Sequence, residues 1–191
     1  MLMKLSDQKE LLRLSLKNSN RFAHSLGVEK TAVDLARRFG ISEEKARIAG
    51  LLHDCAREFP NDQLISEAQK RGIEIDEVEF ATPLLLHAPI GARLIREKYE
   101  VDDEEISQAI SRHTVAARDM SDLDKIIYFA DMIEPNRNYP EVDHLRELSR
   151  TVSLDEMFLT GLSESILFIV AKNALIHPAT VESRNQMLFE R

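Results

Sequence analysis

Six residues of this chain set a metal-binding or proton-carrying side chain in an apolar context: His24, the adjacent pair His53-Asp54, His87, His113 and Asp131. Imidazole and carboxylate donors without thiolate suit iron, manganese or zinc, and the same groups serve acid–base chemistry and phosphate recognition. His53-Asp54 follows Ala49-Gly50-Leu51-Leu52, so both polar groups enter an apolar stretch where each needs a partner. Asp131 interrupts the run Ile126-Ile127-Tyr128-Phe129-Ala130 before Met132-Ile133, which makes an ionised carboxylate costly unless it meets an arginine or a cation. His24 shares a helical face with Val28, Ala32, Leu35 and Phe39, which turns it toward a core. Taken singly, His53 is equally readable as a core histidine hydrogen-bonded to its neighbours, and His24, His87 and His113 read more readily as ordinary polar residues. The lone Cys55 can form neither an internal disulfide nor a thiolate cluster, and its inward helical position argues for packing rather than nucleophilic attack.

The elements that must position these residues are helical. Only 6 Gly and 6 Pro interrupt the chain, and apolar residues recur at helical spacing with no run of strict alternation. Helices are predicted over Asp7 to Lys17, from the cap at Asn18-Ser19-Asn20 to Phe39 before Gly40, and from the cap at Ser42 to Phe59 before Pro60. Others follow over Asn61 to Arg71, from Thr82-Pro83 past Pro89 to Glu100, and over Asp102 to Arg112. Ser121 and Asp124 have the spacing of a capping box opening a helix that Pro135 ends, and a last long helix is predicted from Leu154 to Ile176. The expected architecture is all-α and a single domain over residues 1–191, its core at about 18–135 with C-terminal helices at about 138–188 packed on it.

Charge and composition narrow the partners. With 25 basic and 33 acidic side chains the net charge is −8, which disfavours a nucleic-acid duplex as partner and leaves a small phosphorylated substrate drawn by local arginines or a cation. No stretch is long and apolar enough to span a membrane, and the start Met1-Leu2-Met3-Lys4 lacks the pattern of a secretory signal; the expected address is cytoplasmic.

In chain order the candidates run His24, His53-Asp54, His87, His113, Asp131, each on a different predicted helix, the way helical bundles assemble metal sites. This resembles the HD-domain metal-dependent phosphohydrolases. The segments Arg21-Phe22-Ala23-His24-Ser25-Leu26-Gly27, Gly50-Leu51-Leu52-His53-Asp54-Cys55-Ala56-Arg57, Leu86-His87-Ala88-Pro89, Arg112-His113-Thr114, Ala130-Asp131-Met132-Ile133-Glu134-Pro135-Asn136-Arg137 and Ile176-His177-Pro178 resemble more closely the YqeK group of symmetrical bis(5'-nucleosyl)-tetraphosphatases. The chain departs from that group after Thr114, where Val115-Ala116-Ala117 stands, and at Arg57, where a lysine is expected.

The resemblance implies hydrolysis of diadenosine tetraphosphate to two ADP by a metal-activated water. It implies a metal, iron above manganese or zinc, held by His24, His53, Asp54 and Asp131. His87 and His113 either join Asp54 at a second metal or bind the substrate phosphate. Asp54 and Arg57 are the catalytic candidates, Arg57 as the partner of the leaving oxyanion or, alternatively, of Asp54 or Glu58 within its helix. Arg21, Thr114 and Arg137 are expected at the phosphates, and Ile176 and His177 at the nucleotide, unless His177 merely ends the last helix. Two other readings keep the fold: hydrolysis of another nucleotide (a monophosphate, a deoxynucleotide or a cyclic dinucleotide), or a nucleotide sensor without catalysis. An apolar face around Met157, Phe158 and Leu159 is a candidate homodimer surface, unless the chain itself buries it.

Overall fold

Residues 3–190 are described by a computed structural model. Among them the architecture is helical, with α1 at Leu5–Ser15, α2 at Ser19–Phe39, α3 at Glu43–Leu52, α4 at Leu64–Lys70, α5 at Glu77–Ala81 and α6 at His87–Tyr99. Then come α7 at Glu104–Arg112, α8 at Asp122–Ile133, α9 at Val142–Thr151, α10 at Leu154–Ala171 and α11 at Pro178–Phe189. No helix among the described residues is long and apolar enough to cross a membrane.

The caps read from sequence set several of these ends. Asn18 accepts from the Asn20 N–H, Ser42 from Lys45, and Ser121 with Asp124 forms a complete capping box. Gly40 closes α2 in the left-handed conformation, at φ 72°. At the centre α2 packs along α3. Gly50 makes that possible, since a Cβ there would stand 3.0 Å from the Glu29 Cα and 3.1 Å from the Val28 carbonyl. Helix α8 is buried almost all round, with Ile126, Ile127, Phe129 and Ala130 fully enclosed between α2, α7 and α10. A smaller cluster of Met120, Tyr128, Phe158 and Leu162 joins α10 to α8, with the Tyr128 and Phe158 rings edge to face at 5.4 Å.

Several local expectations are corrected. The third helix ends at Leu52, not Phe59; Asp54 leaves helical geometry at φ −100°, ψ 13°, and a 3₁₀ turn follows over Cys55–Glu58. Asn61–Gln63 and Pro83–Leu86 are likewise 3₁₀ turns, so α4 begins at Leu64 and α6 at His87. Pro89 is tolerated because it lies in the first turn of α6, where the missing N–H has no intrahelical partner to lose. The last helix stops at Ala171, and His177, rather than ending it, caps α11 by accepting from the Ala179 N–H. Helix α5 has no counterpart among the elements read from sequence, and α9 and α11 are covered there only by the general expectation of C-terminal helices at about 138–188. Met157, Phe158 and Leu159 are buried against the chain's own core, so they offer no dimer surface.

Candidate active site

Each candidate sits at or near a helix terminus: α2 and α6 bring their N-terminal ends to the site, and α3, α7 and α8 their C-terminal ends. His24 is in the second turn of α2, His53 follows the last residue of α3, His87 opens α6, His113 follows α7 and Asp131 is in the last turn of α8. The break of α3 at His53 resolves a geometric difficulty, because consecutive residues of a continuous helix point about 100° apart. In the turn both His53 and Asp54 reach the same centre.

Two nests meet at the Asp54 carboxylate. On one side, His24 Nε2 lies 3.2 Å from His53 Nε2, 2.9 Å from Asp131 Oδ1 and 4.0 Å from Asp54 Oδ2. On the other, His87 Nε2 and His113 Nε2 are 3.1 Å apart and stand 3.2 and 3.9 Å from Asp54 Oδ1. The Thr114 hydroxyl lies 3.4 and 3.3 Å from those two nitrogens.

The opposite ring nitrogens decide the tautomers. The Nδ1 of His53 donates to the Gly50 carbonyl at 2.8 Å, that of His113 to Ile110 at 2.7 Å, and that of His87 to the Leu84 carbonyl. With Nδ1 carrying the proton, each Nε2 presents a lone pair to the centre. Burial keeps His53 below the ordinary imidazole value, and burial, with the nearby His53 and His87 rings, pushes His113 down to about 3. His87 Nε2, His113 Nε2 and Asp54 Oδ1 therefore converge within 4 Å of one another, each able to accept. That arrangement calls for positive charge among them, a ring proton in the metal-free chain or a divalent cation, which this donor set fits.

The carboxylates are held as anions. Burial alone would raise both, but His53, His87 and His113 hold Asp54 well below the usual range, and His24, His53 and Arg137 do the same for Asp131. His24 faces carboxylates through both nitrogens, with Glu134 Oε1 3.0 Å from its Nδ1. Burial opposes charge on the ring, yet Asp131 and Glu134 raise its pKa, and Nε2, facing Asp131, stands where a cation fits.

A polar cavity of about 600 Å³ opens over this centre, lined by His24, Asp54, His87 and Asp131 with the guanidiniums of Arg21, Arg57 and Arg137 and the amides of Asn18, Asn20 and Asn136. Burial, Arg21 and Arg137 push Arg57 below its ordinary value, against the pull of Asp54 and Asp131. Arg137 pairs with Asp131, whereas no carboxylate among the described residues lies within ion-pair distance of Arg57; Glu58 pairs with Lys98 instead. Mutually repelling guanidiniums in one cavity mark an anion site.

A second, largely apolar cavity of about 670 Å³ adjoins it, sharing Asp131 and Arg137. Leu85, Thr114, Tyr128, Met132, Tyr139, Phe168, Leu175 and His177 are among its walls. Ile176 lines neither cavity; its neighbour Leu175 takes that place. His144, read as surface, is exposed. The asparagines, the two tyrosines and Glu134 escaped the sequence reading. Only Glu134 carried a signal, as an acidic residue ending an apolar helix before Pro135.

The HD-domain family model matches residues 21–136, a span that contains every residue of the two nests. The chain is 37% identical over 172 residues to a symmetrical bis(5'-nucleosyl)-tetraphosphatase of Halalkalibacterium halodurans, covering 90% of this chain and 91% of that protein. It is 37% identical over 169 residues to the protein of the same name from Bacillus subtilis, covering 88% and 90%. A crystal structure from Clostridium acetobutylicum, described as a predicted HD superfamily hydrolase involved in NAD metabolism, superposes with a TM-score of 0.93 at 36% identity over the whole of both chains. This chain therefore belongs to the HD-domain family, in the same group as the two tetraphosphatases.

Proposed function

We propose that the chain hydrolyses dinucleoside tetraphosphates, diadenosine tetraphosphate first among them, to two nucleoside diphosphates. The observation that carries this reading is the junction of the two cavities at Asp131 and Arg137 beside the histidine nests: an arginine-lined space fits a polyphosphate, and an apolar, tyrosine-walled one fits a nucleoside. The names of the tetraphosphatases matched over nine-tenths of the chain support the tetraphosphate over other nucleotides.

His24, His53, Asp54 and Asp131 would hold one divalent cation, and Asp54, His87 and His113 a second. The donors, imidazole and carboxylate without thiolate, suit iron, manganese or zinc alike; iron is proposed on the resemblance to the tetraphosphatase group. When bound, the cation supplies Lewis-acid polarisation of the phosphoryl group and acidifies a water. Arg21 and Arg137 hold phosphate oxygens of the chain, and Thr114 offers a hydroxyl beside His87 and His113. Hydrolysis breaks the central P–O–P bond, and the oxygen of water joins one of its phosphorus atoms. The other half departs as a nucleoside diphosphate anion, which needs a positive neighbour more than a proton donor; the guanidinium of Arg57, one turn past Asp54 and lining the same cavity, supports that role for it. The C-terminal helices belong to the same working unit, since α10 and the segment after it wall the nucleoside cavity.

The test is anaerobic purification with metal analysis, then chromatography of the products from diadenosine tetraphosphate beside the double variant His53→Ala, Asp54→Ala. ADP as sole product, lost in the variant, is expected. Bound metal without ADP release would refute the substrate, and ADP release undiminished in the variant would refute the site.

A further inference from the structure

The apolar cavity has one wall that the chemistry of the metal nests does not explain. Between α10 and α11 the chain turns through Asn173, at φ 51°, and returns through Leu175 and His177, both of which line the cavity. His177 has both ring nitrogens engaged. Nδ1 accepts from the Ala179 N–H at 3.2 Å, so the ring proton is on Nε2, which donates to Asp76 Oδ2 at 2.7 Å. The other oxygen of Asp76 accepts from the N–H groups of Val78 and Glu79, each at 2.8 Å, and Glu79 returns a bond to the Asp76 N–H. Asp76 thus caps α5 with one oxygen and holds a ring 101 positions away in sequence with the other. Its helix leads through the Pro83–Leu86 turn to Leu85, which lines the same cavity.

We infer that Asp76 is a positioning residue for nucleoside binding: it holds the His177 ring as a planar wall of the apolar cavity, with no ring nitrogen left to hydrogen-bond the base. The inference rests on the proposed function for the identity of the ligand. A flat ring in a cavity that Tyr128, Tyr139 and Phe168 also line favours an aromatic base by packing, which tolerates different bases. The Asp76 side chain is 44% exposed, so the effect is modest, within the worth of a solvent-accessible pair.

Asp76→Asn isolates the latch. Asparagine keeps the cap through its oxygen but turns an N–H toward the imidazole N–H. Expected is a rise of about five-fold in KM for diadenosine tetraphosphate, with kcat moved by less than about two-fold, and an equal weakening of ADP binding by calorimetry. Inhibition by pyrophosphate, which reaches only the polar cavity, should keep its constant. Asp76→Ser, which also caps but cannot reach His177, should match the asparagine variant. Combining either with His177→Ala should add nothing to His177→Ala alone. Unchanged KM and ADP affinity in both Asp76 variants would overturn the inference. So would an equal change toward pyrophosphate, or full additivity with His177→Ala. A wild-type protein that releases no ADP would instead defeat the proposed function, and the ADP titrations would still read the latch.

Discussion

Gly27 leaves the space that the Glu134 carboxylate fills: a Cβ at Gly27 would overlap Glu134 Oε2, whose partner oxygen meets His24 Nδ1 at 3.0 Å. Glu134 is buried, and its Oε2 also accepts from the backbone and side-chain nitrogens of Asn136 at 2.7 and 2.9 Å. One carboxylate thereby fixes the orientation of a proposed ligand and the loop that carries Arg137. A glycine in the middle of α2 costs the helix about 1 kcal/mol against alanine, a cost that the close approach of Glu134 accounts for.

Gly27→Ala should therefore improve the intrinsic helix propensity and still damage the centre. Loss of an outer hydrogen-bond partner to a ligating histidine typically weakens metal affinity about 10- to 100-fold. Metal titration of the purified variant measures this. Wild-type affinity in a folded Gly27→Ala protein would mean that Glu134 does not orient His24.

The two nests predict two cations per chain at saturation. His113→Ala should lower the stoichiometry to one and leave the His24 side loaded, while Asp54→Asn should weaken both, because each Asp54 oxygen faces a different nest. Elemental analysis of the three proteins decides between two cations and one. Removal of the metal by a chelator should lower the Tm, since a ligand that binds only the folded chain stabilises it by mass action.

Arg57→Ala should leave metal content intact and reduce kcat by about 10²- to 10³-fold, the scale for removing one group that stabilises a developing oxyanion. Arg57→Lys should recover part of that loss, since it retains the charge but not the planar fork. Steady-state rates on metal-loaded proteins give the answer; a raised KM with unchanged kcat would reassign Arg57 to ground-state binding.

Cys55 is fully buried beside the Gly91 carbonyl, and burial pushes its thiol well above the ordinary range. Iodoacetamide should leave the native protein unmodified and label it after denaturation, as read by mass spectrometry. Cys55→Ala should retain hydrolysis with a stability loss of about 1 kcal/mol, while abolished turnover in a folded, metal-loaded variant would reopen a role for the thiol.

The sequence by itself determined the helical class, the caps at Asn18, Ser42 and Ser121, and which His and Asp side chains stand in apolar runs as candidate donors, because helical periodicity, capping chemistry and polar groups inside apolar runs are local signals. It failed where two signals overlapped. The apolar pattern of α3 runs on past His53, yet the chain turns there, and the pattern after Leu154 continues past Ala171 although Asn173 adopts a left-handed conformation. Tertiary structure alone decided that His177 meets Asp76, that Glu134 fits against Gly27, and that Met157 and Phe158 are core. The first two join positions about 100 residues apart, like the 110 between His24 and Glu134, and contacts at that separation leave no periodicity for a sequence to display. The two cavities, too, exist only once the helix ends have been brought together.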